Sequence, residues 1–346
     1  MRLLLLIPIL IVLFAGAALS SVESLREEAN VIFNPLPQVP PSPADNPINS
    51  AKIELGKMLF FDPRLSSSGK ISCSSCHDLD RGGADDRSKS IGHDGQKGRR
   101  NAPTVFNSVF NIALFWDGRA PTLRHQAKGP IESAVEMNNT PEAIVATLKG
   151  IPAYVEKFSQ AFDGIAEPVT YDNVAKALES FQATLITPDS PFDRFLRGDD
   201  KAMSEKQLRG LRQFIGQGCV TCHRGTNVGG NAFFTFGMMV APDERIRPQD
   251  DHGRMEVSGR ALHDYTFRVA SLRNVARTAP YFHSGVVWDL REAVRIMAKS
   301  QLNAILTETD VDEIVAFLQS LNGSPPQFAR PVLPAGLEAA QNDGNR

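Results

Sequence analysis

The heptapeptide ISCSSCH, with Cys73, Cys76 and His77, constrains this chain more than any other stretch, and its core recurs as GCVTCH at Cys219, Cys222 and His223. C-x-x-C-H is the attachment pattern of a c-type haem. Each thiol adds across one porphyrin vinyl, the two-residue spacer lets both sulfurs reach from one turn, and the next imidazole lies under the iron. These are the only four cysteines in the chain, so none is left for a disulfide. A zinc ribbon would need its second pair within about twenty residues, and a dithiol redox motif has no use for the histidine. Two covalently bound haem c groups are therefore expected.

At 346 residues the chain suits two ordinary domains. Its net charge of −2 gives no basic stripe for nucleic acid and no polybasic membrane patch. Arg2 precedes the apolar run LLLLIPILIVLFAGAAL, and Ala18-Leu19-Ser20 supplies small residues for cleavage. Residues 1–20 read as a secretory signal peptide, removed before Ser21, with a retained anchor as the other reading. In either case the body lies outside the cytoplasm, in the periplasm, and the mature form has no membrane span.

A proline-rich arm, Phe33 to Pro47, follows. SAKIELGKMLFFD reads as a helix from Ser50 with Ile53, Met58 and Leu59 inward, ending at Pro63. Val174, Ala177, Leu178, Phe181 and Leu185 form a helical stripe, with Asp172 near its start. Ser204 and Gln207 make a capping box ahead of Leu208, Leu211 and Ile215, with Gly216 or Gly218 closing that helix. Val311, Ile314, Val315, Leu318 and Leu321 form a last stripe, started by Asp310 and stopped by Asn322-Gly323. The expected fold is mainly α, with long loops, few short strands, and haem as part of the core.

The two halves also resemble each other. TVFNSVFNIALFWDGR (Thr104 to Arg119) aligns without a gap on SLRNVARTAPYFHSGV (Ser271 to Val286), placing Asn107 on Asn274, Phe115 on Phe282, Trp116 on His283 and Gly118 on Gly285. Each haem motif is followed by a glycine pair, Gly82-Gly83 and Gly229-Gly230. A duplicated one-haem cytochrome unit accounts for this, giving two cytochrome c-like domains, 21–187 (with the arm) and 188–346.

What each iron does depends on its other axial position. Met297, on the helix after His283, is either a thioether ligand or a core methionine. His93, in the glycine-rich SIGHDGQKG, is either a ligand on a mobile loop or a solvated side chain. Gln126 and Glu136 follow WDGR; a carboxylate over an open iron handles the protons that O–O cleavage needs, whereas alone it reads as a helix-edge residue. Trp116 either fills core or stands between the haems.

Together these segments closely resemble the bacterial dihaem cytochrome c peroxidases. FDPRLSSSGKISCSSCH, SIGHDGQKG, RNAPTVFN, FWDGRA, QAKGPI, VEMNN, SLRNVARTAPYFHSG and EAVRIM occur in the family's order through nearly the whole mature chain. The resemblance implies that His77 is proximal ligand of a low-potential peroxidatic haem in 21–187, with His93 distal in the resting oxidised state. His223 and Met297 would hold a high-potential, electron-transfer haem in 188–346. Glu136 and Gln126 would line the peroxide pocket, with Trp116 between the haems. One Ca²⁺ would be bound by the Asn101 side chain and the carbonyls of Thr278 and Pro280, completed by waters. The implied reaction is reduction of hydrogen peroxide to water by a homodimer, with electrons from a small cytochrome c or cupredoxin. A dihaem electron-transfer cytochrome and a protein-modifying dihaem oxidase are the alternatives. Related protein-modifying enzymes carry Tyr where this chain has Met297, which favours the peroxidase branch.

Overall fold

The computed structural model describes residues 22–335. The expected signal peptide therefore lies outside the described residues, as does the end of the chain. The fold is mainly helical. Helix α1 covers 22–32, and α2 (Ser50–Phe61) precedes a short turn at Cys73–Ser75. Then come α3 (Leu123–Glu132), α4 (Pro141–Lys149), α5 (Pro152–Ala161) and α6 (Tyr171–Ala183). The second half runs α7 (Pro191–Leu196), α8 (Glu205–Gly216), a turn at Cys219–Thr221, α9 (Met255–Ser258), α10 (Leu290–Leu302) and α11 (Glu308–Ser320). Two three-residue strands, β1 (Phe233–Thr235) and β2 (Thr266–Arg268), pair antiparallel with Phe234 opposite Phe267. No helix among the described residues is long and apolar enough to cross a membrane.

Each half is built on one helix crossing. In α2, a Cβ at Gly56 would sit 1.9 Å from the Ala177 carbonyl oxygen of α6 and 2.9 Å from Phe181 Cβ. In α8, a Cβ at Gly210 would sit 1.8 Å from the Glu313 carbonyl oxygen of α11 and 2.9 Å from Phe317 Cβ. Only glycine lets the backbones approach so closely. This contact also rotates α2 from the expected face. Leu55, Leu59 and Phe60 flank Gly56 and are buried, whereas Ile53 and Met58 are half-buried at the core's margin.

The stripe on α6 is buried throughout, with Asp172 in its first turn as expected and Thr170 as its cap: the Thr170 hydroxyl accepts from the Asn173 N–H. Ser204 and Gln207 form the expected capping box. Helix α11 starts three residues earlier than expected, because Thr307 caps it and Asp310 is the reciprocal member of that box. Buried Phe317 takes the core position that Val315 was expected to fill.

The aligned segments share backbone as well as sequence. Asn107 and Asn274 are left-handed at φ 58° and 62°, Phe115 and Phe282 at 64° and 66°, and Gly118 and Gly285 at 68° and 64°. Matching bridges, Leu114 to Ala120 and Tyr281 to Val287, close the two loops. Asn107 and Asn274 each donate from Nδ2 to Thr187 Oγ1, both at 2.8 Å. The two segments thus meet at one buried hydroxyl, where the chain passes from one half to the other.

The terminal segments cross over. Leu25, Ala29 and Phe33 pack with Phe192, Phe195 and Phe317, so α1 and the start of the arm lie against the second half, whereas Asn46 near the arm's end donates to Lys176 and Glu179 of the first. Conversely, Phe328 lies against Phe61 and Phe181 of the first half, and Arg64 donates to the Pro334 carbonyl. The reason is hydrophobic: α8 and α11 leave an apolar face that α1 covers, and α2 and α6 leave one for Phe328.

Candidate active site: two cavities with a common wall

Both C-x-x-C-H segments form one tight turn in which the histidine N–H donates to the first cysteine's carbonyl, at 2.9 Å for His77 and 3.0 Å for His223. That turn brings two sulfurs and an imidazole to one side. Burial pushes the Cys73 thiol up to about 12 and Cys76 and Cys219 to about 11, and it raises Cys222 too. These are neutral thiols, unlike the low-pKa cysteines of dithiol redox sites.

Burial also lowers both imidazoles, His223 to about 4, so each is neutral and able to ligate a metal. His77 Nδ1 lies 3.3 Å from the Gly83 carbonyl, which favours the tautomer with its proton there and leaves Nε2 free. His223 Nδ1 is buried without a hydrogen-bond partner, and a Cβ at Gly229 would stand 3.2 Å from it. The glycine pairs after each motif are thus the floor under the imidazoles.

Each turn opens on its own cavity. The one beside Cys219, Cys222 and His223 spans about 1300 Å³, part of it open to solvent, and is walled by apolar groups, among them Phe214, Phe234, Val269 and Met297 of α10. The one beside Cys73, Cys76 and His77 spans about 1900 Å³, part of it open to solvent, and carries polar groups: Arg119, Gln126 of α3, Ser133 and Glu136. The donor set and the volume at each suit a covalently attached porphyrin. Burial raises the Glu136 carboxyl, while the Ser133 hydroxyl and the Arg119 guanidinium pull it back.

Most of the expected site residues come together on these walls. Met297 shares a cavity with His223, and Glu136 and Gln126 share one with His77. Trp116 lines both cavities, donates from Nε1 to the Asn101 carbonyl at 2.9 Å, and stands edge-on to His283 with ring centres 6.2 Å apart. His93 is the exception, not being among the residues that line the first cavity. Its Nδ1 is 3.4 Å from Ser67 Oγ and its Nε2 is 3.1 Å from Asp94 Oδ2.

Asn101 donates its N–H to the His283 carbonyl and its Nδ2 to the Arg87 carbonyl, so it is anchored on the loop that follows Thr278 and Pro280. The expected calcium donors are neutral carbonyl oxygens. Among the described residues there is no cluster of three or more His, Cys, Asp or Glu suited to a metal ion.

Arg119 is the residue that sequence reasoning missed. Its guanidinium lies 3.4 Å from the Phe115 ring centre and pairs with Asp117 at 2.8 Å, on the wall shared with Glu136. A signal was present: in the aligned segments Arg119 falls on Val286, a charge opposite an apolar residue.

Residues 50–201 match the family model described as di-haem cytochrome c peroxidase. The cytochrome c551 peroxidase of Pseudomonas aeruginosa is 51% identical over 320 residues, 92% of each chain. The chain belongs to the di-haem cytochrome c peroxidase family. The cytochrome c551 peroxidase of Nitrosomonas europaea is 45% identical over 296 residues, covering 86% of this chain and 87% of that protein. Among solved structures, a MauG-like protein associated with microbial copper homeostasis superposes with a TM-score of 0.75. It is 30% identical, covering 86% of this chain and 98% of that one.

Proposed function

We propose that this family member reduces hydrogen peroxide to two waters, consuming two electrons and two protons, with one covalent haem c in each cavity. The observation that carries the reading is that the two C-x-x-C-H turns open on chemically unlike cavities with a common wall. When bound, the haem irons supply the one-electron redox steps and the peroxide-binding position. In the first half, His77 would hold the iron, and Glu136 would carry a proton from one peroxide oxygen to the other. Burial favours its protonated form, which suits a group that must carry a proton. Arg119 and Gln126 orient the peroxide by donating hydrogen bonds. In the second half, His223 and Met297 would hold an iron among apolar side chains, which suits electron transfer. Trp116 fills the wall between them.

The rest of the reading follows from the same assignments. Electrons enter at the second half from a small cytochrome c or cupredoxin in the periplasm. His93 is a removable ligand of the first half's iron. Asn101, Thr278 and Pro280 hold one Ca²⁺ where the halves meet, and the working unit is a homodimer. The test is direct: protein made in a host that attaches haem covalently should carry two haems per chain and consume peroxide at the expense of reduced cytochrome c. Two haems without peroxide-dependent oxidation of the donor would make the protein an electron carrier instead.

A further inference from the structure

The two cavities share two lining residues, Trp116 and Arg268. Arg268 ends β2 and is 5% exposed. The other fully buried arginine, Arg273, has a carboxylate: its Nη1 is 2.8 Å from Asp193 Oδ1. Arg100, nearly buried, has three, Asp117, Asp251 and Glu256. Arg268 makes no ion pair with any described residue. Its Nε donates to the Phe115 carbonyl at 3.4 Å and its Nη1 to the Val269 carbonyl at 3.1 Å. Two of the five N–H bonds of a guanidinium are thereby used, and three remain, including both on Nη2.

A buried charge with no counter-charge costs several kcal/mol, and removing one partner of such a pair is strongly destabilising. A chain that keeps this one must meet an anion at that point. The groups for which both cavities are shaped each bring two carboxylates on flexible stems, and a planar guanidinium accepts carboxylates along its edges. The backbone holds Arg268 firmly in place to receive them. Extending the alignment of the two halves upstream puts Arg268 on Asn101. The two positions make the same cross-contact, Arg268 N–H to the Trp116 carbonyl and Asn101 N–H to the His283 carbonyl, both at 2.8 Å.

We infer that Arg268 is the common counter-ion of the two haems, binding a haem carboxylate from each cavity and so coupling the two irons electrostatically. This rests on the reading that each cavity holds a haem. A positive charge shared by both sites favours the reduced state of both irons. Its removal disfavours reduction on both sides, whereas a purely structural arginine would leave both potentials alone.

The experiment is a redox titration of the haem-loaded R268Q and R268K proteins, following each haem separately by visible and EPR spectra, with haem content measured alongside. R268Q should keep two haems per chain, and both reduction equilibria should move toward the oxidised form by about tenfold, which is about 59 mV for a one-electron couple. R268K, which keeps the charge but not the planar fork, should move both less. Unchanged potentials in R268Q, or a shift at one haem alone, would overturn the inference. If R268Q yields too little folded protein, the neutral R268M decides, and two unmoved potentials overturn the inference there. Fewer than two covalent haems in the unaltered protein would instead remove the reading on which the inference stands.

Discussion

The cavity behind Cys219 and the cavity behind Cys73 stand on the same backbone frame and differ in what projects from it. Both have the crossing glycine, the left-handed Asn and Phe, and the closing bridge. Where the second half has Val286 and His283, the first has Arg119 and Trp116. Where the second offers Met297 over an apolar space, the first offers Glu136 and Gln126 in a polar one. The positions that match set geometry, and the positions that differ set chemistry. An apolar wall with a thioether lowers the reorganisation an electron carrier must undergo. A polar wall with a buried carboxyl supplies protons and orients a small polar substrate.

The largest expected effect falls on one side of that contrast. Glu136→Gln keeps the shape and loses the proton, so turnover should drop by about two to four orders of magnitude. Haem content and the second half's potential should stay as they were. In the unaltered enzyme, burial raises the Glu136 pKa, so activity that needs its carboxylate should fall on the acid side from above the ordinary carboxylate range. That limb should vanish from the pH profile of the Gln variant. Near-normal turnover would shift the proton role to Gln126 or to water.

The matching substitution in the other cavity is Met297→His. An imidazole in place of a thioether favours Fe(III), so the second half's potential should fall and turnover with the natural donor should collapse. The first half's haem should be unaffected. A redox titration showing both potentials unmoved would take Met297 out of the coordination sphere.

The frame itself can be tested symmetrically, with a smaller effect. Gly56→Ala and Gly210→Ala each force a methyl to within 2 Å of a carbonyl oxygen across a helix crossing. Each should cost about 1–3 kcal/mol of stability, read from denaturant unfolding of the haem-loaded protein. Similar losses would support the equivalence of the two crossings. A loss confined to one of them would mean that the halves do not depend on their crossings alike.

Much of this architecture was legible in the sequence because it rests on local chemistry. The cysteine-histidine turns need only four or five residues in a row, and the stripe on α6 needs only its own periodicity. What was not legible depends on contacts between distant segments. The face of α2 was misjudged because Gly56, the residue that meets α6, has no hydrophobic signal. The start of α11 was placed late because Thr307 and Asp310 are each plausible caps until their reciprocal bonds are seen. The arm around Phe33 sits next to the first half in sequence and against the second in space. Arg119 was passed over because its role depends on Phe115 and Asp117 turning it toward Glu136. Arg268 has no motif at all, and only the two cavities seen together single it out.

His93 gives the smallest expected effect on turnover, and it marks a further asymmetry between the halves. It opens a small hairpin closed by the Ile91 to Lys97 bridge and by the Gly98 N–H donating to the Ser90 carbonyl. The hairpin is fastened to the cavity wall from outside. The His93 N–H donates to the Glu136 carbonyl at 2.8 Å, and a Cβ at Gly92 would lie 2.2 Å from the Val135 carbonyl oxygen. With its imidazole between Ser67 and Asp94, His93 does not line the first cavity. For His93 to serve as a ligand in the oxidised protein, its imidazole would have to leave Ser67 and Asp94, a two-state shift. His93→Gly removes the blocking arrangement only. Turnover of the half-reduced protein should therefore be unchanged, while the fully oxidised variant should show a high-spin component and react with peroxide without prior reduction. An oxidised variant that stays wholly low-spin and inert, alongside a normal half-reduced form, would show that another group closes this cavity.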